Sequence, residues 1–176
     1  MFPSRSGKSR PDSSSRAVDR SGLRVRHGVR VGVDAGSVRV GVAVSDPDGL
    51  VATPLTVLRR DAKNRSDLDQ IAELVAEREA VEVLVGLPRT LAGADGAAAV
   101  AARGYAGELA VRVTPVDVRL VDERLTTAEA HRGLRSAGMN SRSARSAVDA
   151  SAAALILQHA LDIERATGQP PGERAS

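Results

Sequence analysis

The sequence predicts an α/β fold: a mixed five-stranded sheet, three strands in an antiparallel meander and two parallel, with helices on both faces. Three observations predict it. Valines recur with a period of two at positions 29, 31 and 33 and again at 38, 40, 42 and 44, the alternation of paired β-strands. After Ser66 the pattern changes to helix, strand, helix, strand, which right-handed crossovers join into a parallel sheet. The chain of 176 residues is also long enough to bury one substantial core.

Residues 1–28 are rich in Ser, Arg, Gly and Pro without hydrophobic period and are expected to form a disordered basic tail ahead of a domain over 29–167. Ala35-Gly36-Ser37 folds the first two strands into a hairpin, with Asp34 near the first strand's end on the face opposite Val31 and Val33. Asp46-Pro47-Asp48-Gly49 is a turn. The third strand, Val51 to Leu58, contains Pro54, which removes a ladder donor and implies an edge or a bulge. Ser66 is expected to cap a helix to about residue 80, with Leu68, Ile71, Leu74 and Val75 as its apolar stripe.

The apolar run Val81 to Leu87 reads as a parallel strand covered on both faces, followed by a Gly-rich loop through Gly96 and an Ala-rich helix over 97–109. The last strand, Val116 to Val121, feeds directly into Asp122-Glu123-Arg124. Thr126 and Glu129 have capping-box spacing, which predicts a helix from about Thr127 that Gly138 closes. A Ser/Arg-rich lead-in over 141–146 precedes the final helix, which runs to about Thr167. It is apolar nearly all round from Ala150 to Leu157 and so belongs in a core. Residues 168–176 are expected to be a loose C-terminal tail.

Composition narrows the chemistry. The chain has no cysteine, so disulfides and thiolate metal sites are excluded, and a reducing cytoplasmic location fits. His27, His131 and His159 include no pair at zinc-ligand spacing. The longest nearly apolar run, Ala150 to Gln158, is far short of the roughly 20 residues of a membrane helix, so no membrane partner is expected. Residues 1–30 hold eight Lys or Arg against two Asp, so the net charge of +3 belongs to the tail and the remainder is net acidic. Tyr105 and Phe2 are the only aromatics, which leaves little for stacking on bases; a nucleic-acid partner would be gripped through arginines and backbone amides on phosphates.

Three acidic positions stand out: Asp34 at a strand end, Asp122-Glu123 at another, and Asp149 on the helix face that carries Ala153, Ile156 and Ala160. Each alone has a structural reading, as a turn residue, an arginine partner or a helix N-terminal acid. Asp149 fits that reading worst, since a core-side carboxylate is costly without a cation or hydrogen bonds. Together the three would repel one another unless a divalent metal neutralised them. Magnesium takes such oxygen ligands and bridges them to phosphate. Two ions about 3.5–4 Å apart can activate water and stabilise the leaving oxygen of a phosphodiester, without His, Cys or nucleophilic Ser. Arg124, Arg132, Arg135, Arg142 and Arg145, against the single acid Glu129, form a surface suited to a phosphate backbone.

Val33-Asp34-Ala35-Gly36, Arg39-Val-Gly-Val-Ala-Val-Ser-Asp46, Val85-Gly-Leu-Pro88, Asp122-Glu-Arg-Leu-Thr-Thr127 and Val148-Asp149 with Ile156-Leu-Gln158 follow one another in the order of a known family. Over residues 30 to about 162 the chain resembles the YqgF (RuvX-like) family, related to the RuvC resolvases and RNase H. The resemblance implies an RNase H-like fold and a metal-dependent nuclease site with Asp34, Glu123 and Asp149 as catalytic metal ligands. It also implies action at the 5′ end of pre-16S ribosomal RNA or, in some members, on Holliday junctions. Strand alternation puts Asp122, not Glu123, on the face of Val116, Val118 and Leu120, which fits a structural Asp122.

The expectation is therefore an endonuclease using Mg2+ or Mn2+, two ions, on pre-rRNA or branched DNA, with Arg124 and Thr127 near the scissile phosphate and Arg39, Arg142 and Arg145 on the backbone. A junction resolvase would cut two strands symmetrically as a homodimer. Two other readings stay open: a non-catalytic nucleic-acid-binding module, and an actin/Hsp70-type ATPase, although that architecture needs two such domains.

Overall fold

The structure, a computed structural model, describes residues 25–90, 92–125 and 142–176, and for residues 125 and 142–147 the backbone alone. Thr127 and the helix expected from it to Gly138 lie outside the described residues.

The valine alternation forms β1 (Arg30–Ala35) and β2 (Arg39–Ser45), paired antiparallel, and β2 pairs with β3 (Ala52–Arg59). Pro54 lies on the edge strand, and the register shifts between Val42 and Ala43 because Val42 faces Thr56 and Ala43 faces Pro54, which leaves Leu55 as the extra residue. α1 (Ser66–Glu77) starts one residue earlier than a Ser66 cap requires, with Arg65 in the cap position. Ser66 is its first helical residue, and its hydroxyl donates to Asp61 at 2.8 Å instead of capping. β4 (Glu82–Leu87) is buried throughout, as a strand covered on both faces must be. α2 (Ala97–Val113) runs four residues beyond its expected end, and β5 (Asp117–Asp122) leads into a 3-10 turn over Glu123–Leu125. α3 (Arg142–Thr167) takes in the Ser/Arg-rich lead-in as helix.

The sheet order is β3-β2-β1-β4-β5-β6, with β1, β4 and β5 parallel. It has six strands where five were expected. The sixth, β6 (Glu173–Arg174), comes from the tail expected to be loose and pairs antiparallel with β5. Arg119 anchors that return by donating to the carbonyls of Pro171 and Gly172 at 2.7 and 2.8 Å. The other tail boundary shifts too: Val25 is buried, and Arg26 reaches Glu82 and Glu164, so residues 25–28 lie against the domain.

One core lies between the sheet and α1/α2, built on Val31, Val33, Val83, Val85, Val118 and Leu120. The other lies between the sheet and α3, with Ala43, Leu84 and Val121 meeting Ala153, Leu157 and Leu161. Strand parity sorts residues between these faces: the odd positions of β1 face α1/α2, so Asp34 faces α3. At the sheet end where β1 and β4 begin, Arg26 and Arg30 meet the fully buried Glu82 and the buried Glu164. No helix among the described residues is long and apolar enough to cross a membrane.

Candidate active site

Asp34 stands opposite Gly41 in the β1–β2 ladder, so the two share a face. A Cβ on Gly41 would overlap the Asp149 carbonyl oxygen, so α3 crosses the sheet in backbone contact at this point. The absent side chain is what lets the helix deliver Asp149 beside the Asp34 strand end. The turn that follows is closed by Gly36, whose N–H reaches the carbonyl of Arg39 at 3.0 Å and fixes the hairpin behind Asp34.

Glu123 arrives from the other side. Val121 faces α3, and Glu123, two residues on, keeps that face as the chain enters the 3-10 turn. A Cβ on Gly86 would collide with the Glu123 carboxylate and with Ile156 of α3, so Gly86 is the floor on which that carboxylate lies. One step beyond the last paired positions of β1 and β4, Val33 and Val85, stand Asp34 and Gly86. Asp34, Glu123 and Asp149 thus come from three separated stretches to one face of the sheet, and all are buried, at 3%, 2% and 3% exposure.

Asp122 takes the opposite face. Its carboxylate receives Arg124 through the backbone N–H at 3.0 Å and through Nη2 at 2.6 Å, with Arg89 3.7 Å away. The hydrogen bond from Arg124 holds the Asp122 carboxyl below the usual range. Arg124, expected on the substrate phosphate, is in this structure the partner of Asp122. Arg39, expected on the substrate backbone, instead donates its Nε to Asp149 Oδ2. Arg142 and Arg145 lie in α3 seven and four residues before Asp149, with their side chains outside the described set. Thr127 is outside it altogether.

Sequence reasoning missed Gly41 and Gly86. The available signal was a glycine inside each of two apolar strands, which marks a close approach by another group.

A divalent ion suits this donor set: three buried carboxylates, all oxygen donors, with a glycine-floored recess under one of them. Among the described residues, however, no three His, Cys, Asp or Glu side chains stand close enough together to hold a metal ion. The guanidinium of Arg39 holds Asp149 in its present position.

Comparison with known proteins agrees with this architecture. The family model described as "RuvX: Holliday junction resolvase" matches residues 28–163. A Frankia casuarinae protein is 55% identical over 142 residues, covering 81% of this chain and 70% of that one. A Streptomyces coelicolor protein is 52% identical over 155 residues, covering 86% and 90%. Both carry the name "Putative pre-16S rRNA nuclease". Among solved structures, Thermus thermophilus RuvC in complex with a Holliday junction substrate superposes with a TM-score of 0.51 at 19% identity, over 84% of this chain and 99% of that one, a likeness of fold. The motif order, the mixed sheet with helices on both faces and the family match over most of the domain agree: the chain belongs to the RuvX family.

Proposed function

We propose that the chain is a metal-dependent endonuclease that trims the 5′ end of pre-16S rRNA, with Asp34, Glu123 and Asp149 as its metal-holding acids. The observation that carries this reading is the burial of those three carboxylates on one sheet face, at the ends of β1 and β5 and on α3. The names carried by relatives more than 50% identical support the substrate. Bound Mg2+ or Mn2+ would supply an activated water and charge stabilisation at the leaving oxygen.

The chain's own residues do the positioning. The Gly36 turn and the β1–β2 ladder hold Asp34 at a fixed point. Gly86 gives the Glu123 carboxylate its floor, and Gly41 lets α3 bring Asp149 close. Arg145 and Arg142 precede Asp149 by one and two helical turns, which suits them to phosphates flanking the scissile bond. Arg124, pinned by Asp122, is a preset cation at the same strand end from which Glu123 projects to the other face.

The test is cleavage of a precursor-rRNA fragment and a four-way DNA junction side by side, with and without Mg2+. The expected result is Mg2+-dependent cleavage near the mature 5′ end of the rRNA and little cutting of the junction. Preferential, symmetric junction cutting would assign the chain as a resolvase instead. Tight binding without cleavage of either would make it a non-catalytic module.

A further inference from the structure

The ion pair between Arg39 and Asp149 joins residues 110 positions apart and lies inside the proposed metal site. Its geometry is one-sided. The Asp149 side chain is 5% exposed and the Arg39 side chain 33%, so the arginine is the partner that water reaches. The backbone of Arg39 cannot follow a moving side chain, since Gly36 bonds its carbonyl and the N–H of Arg60 bonds the neighbouring Val38 carbonyl at 2.9 Å. Only the side chain is free to leave.

We propose that Arg39 is a resident counter-ion of Asp149, a positioning residue that a divalent cation must displace before Asp149 can ligate it. This rests on the metal-site reading above. A guanidinium N–H and a divalent ion compete for the same carboxylate lone pairs, and Mg2+ in particular demands near-ideal geometry around itself. The two cations also repel each other in a site with little water.

What favours the contact of Arg39 with Asp149 is visible across the ladder. Arg39 pairs directly with Arg59, so the two side chains emerge on the same face. Like charges in directly opposed positions repel, which disfavours a swing of Arg39 toward Arg59 and favours its contact with Asp149. Arg39 therefore neutralises Asp149 until metal arrives, and sets the metal concentration at which the site fills. Metal and guanidinium are then negatively coupled through one carboxylate.

A merely structural Arg39 predicts the opposite sign. Removing it would loosen the site and weaken metal binding or leave it unchanged. Calorimetric titration of the full chain with Mn2+ separates the two. Arg39→Gln is expected to bind Mn2+ about tenfold more tightly than wild type, within the usual span of coupled sites. Arg39→Lys, which keeps the charge, should restore most of the wild-type affinity. Equal or weaker binding by a folded Arg39→Gln, with wild type still binding, overturns the proposal and leaves the metal-site reading standing. Absence of Mn2+ uptake by all three proteins overturns both. A measurement on wild type alone covers an unfolded variant: the Arg39 Nε–H resonance should move from its carboxylate-bonded position when Mg2+ is added. A resonance unmoved at Mg2+ concentrations that shift the signals of Asp34 and Glu123 overturns the proposal.

Discussion

Replacing Asp149 by Asn is expected to lower cleavage about 10²–10³-fold, the loss typical of removing one group that stabilises charge in a transition state. The substitution keeps the shape of a side chain that is 3% exposed and changes only its charge and lone pairs. Fold stability should change little. Asp149 loses its ion pair with Arg39, but Arg39 is partly exposed and recovers water. The backbone stays locked where α3 crosses Gly41. A thermal melt beside a cleavage time course checks both halves. Full activity, or a loss of activity that merely follows unfolding, would count against a catalytic carboxylate at 149.

The second large effect lies at the opposite end of the sheet and is purely structural. Glu164 accepts Arg26 Nε at 2.8 Å and Arg30 Nη2 at 3.2 Å, while Glu82 accepts Arg26 Nη2 at 2.8 Å. Arg30 is fully buried, so losing the Glu164 charge leaves it, away from water, with only the more distant Glu82 carboxylate, 3.9 Å from its Nε. Glu164→Gln is expected to destabilise the fold by about 3–5 kcal/mol, the cost of breaking a buried pair from one side. In a domain of this size the melting temperature would fall by roughly 10 °C.

The same group predicts a pH dependence. Burial raises the Glu164 carboxyl, but the bonds from Arg26 and the Arg30 charge outweigh it and hold it below its ordinary value of 4.5. A carboxyl whose folded value is lowered stabilises the fold fully above the unfolded value and loses that contribution as pH falls through the folded one. Wild-type stability should therefore drop below about pH 4.5, and the drop should be shallower in Glu164→Gln. Urea titrations of both proteins across that range check it; parallel curves would contradict it.

Much of this was legible because it is local. The period-two valines, the proline on an edge strand and the uninterrupted run Val83–Val85 each follow from one stretch of chain. The same parity that set Asp122 apart from Glu123 in the sequence is what separates them in space, one against Arg124 and the other over Gly86. What escaped was set by contacts between distant residues. β6 is two polar residues in a proline-bearing tail, held by bonds from Arg119 to backbone carbonyls, and no hydrophobic period announces it. Arg39 reads as an arginine for the substrate backbone until α3, more than a hundred residues later, places Asp149 within its reach. Glu82 and Arg30, charges inside apolar strand runs, were the visible hint of the buried network, but their partners Arg26 and Glu164 carry no local signature.

The central claim is that Asp34, Glu123 and Asp149 act as one site and that Asp122 does not belong to it. The most direct measurement is the Mg2+-dependent cleavage rate of a precursor-rRNA fragment by Asp34→Asn, Glu123→Gln and Asp122→Asn, compared with wild type. Asp34→Asn and Glu123→Gln should each fall about 10²–10³-fold. Asp122→Asn should lose about tenfold at most, the share that anchoring Arg124 can account for. Undiminished cleavage by Asp34→Asn or Glu123→Gln, or a larger loss in Asp122→Asn than in Glu123→Gln, would contradict it.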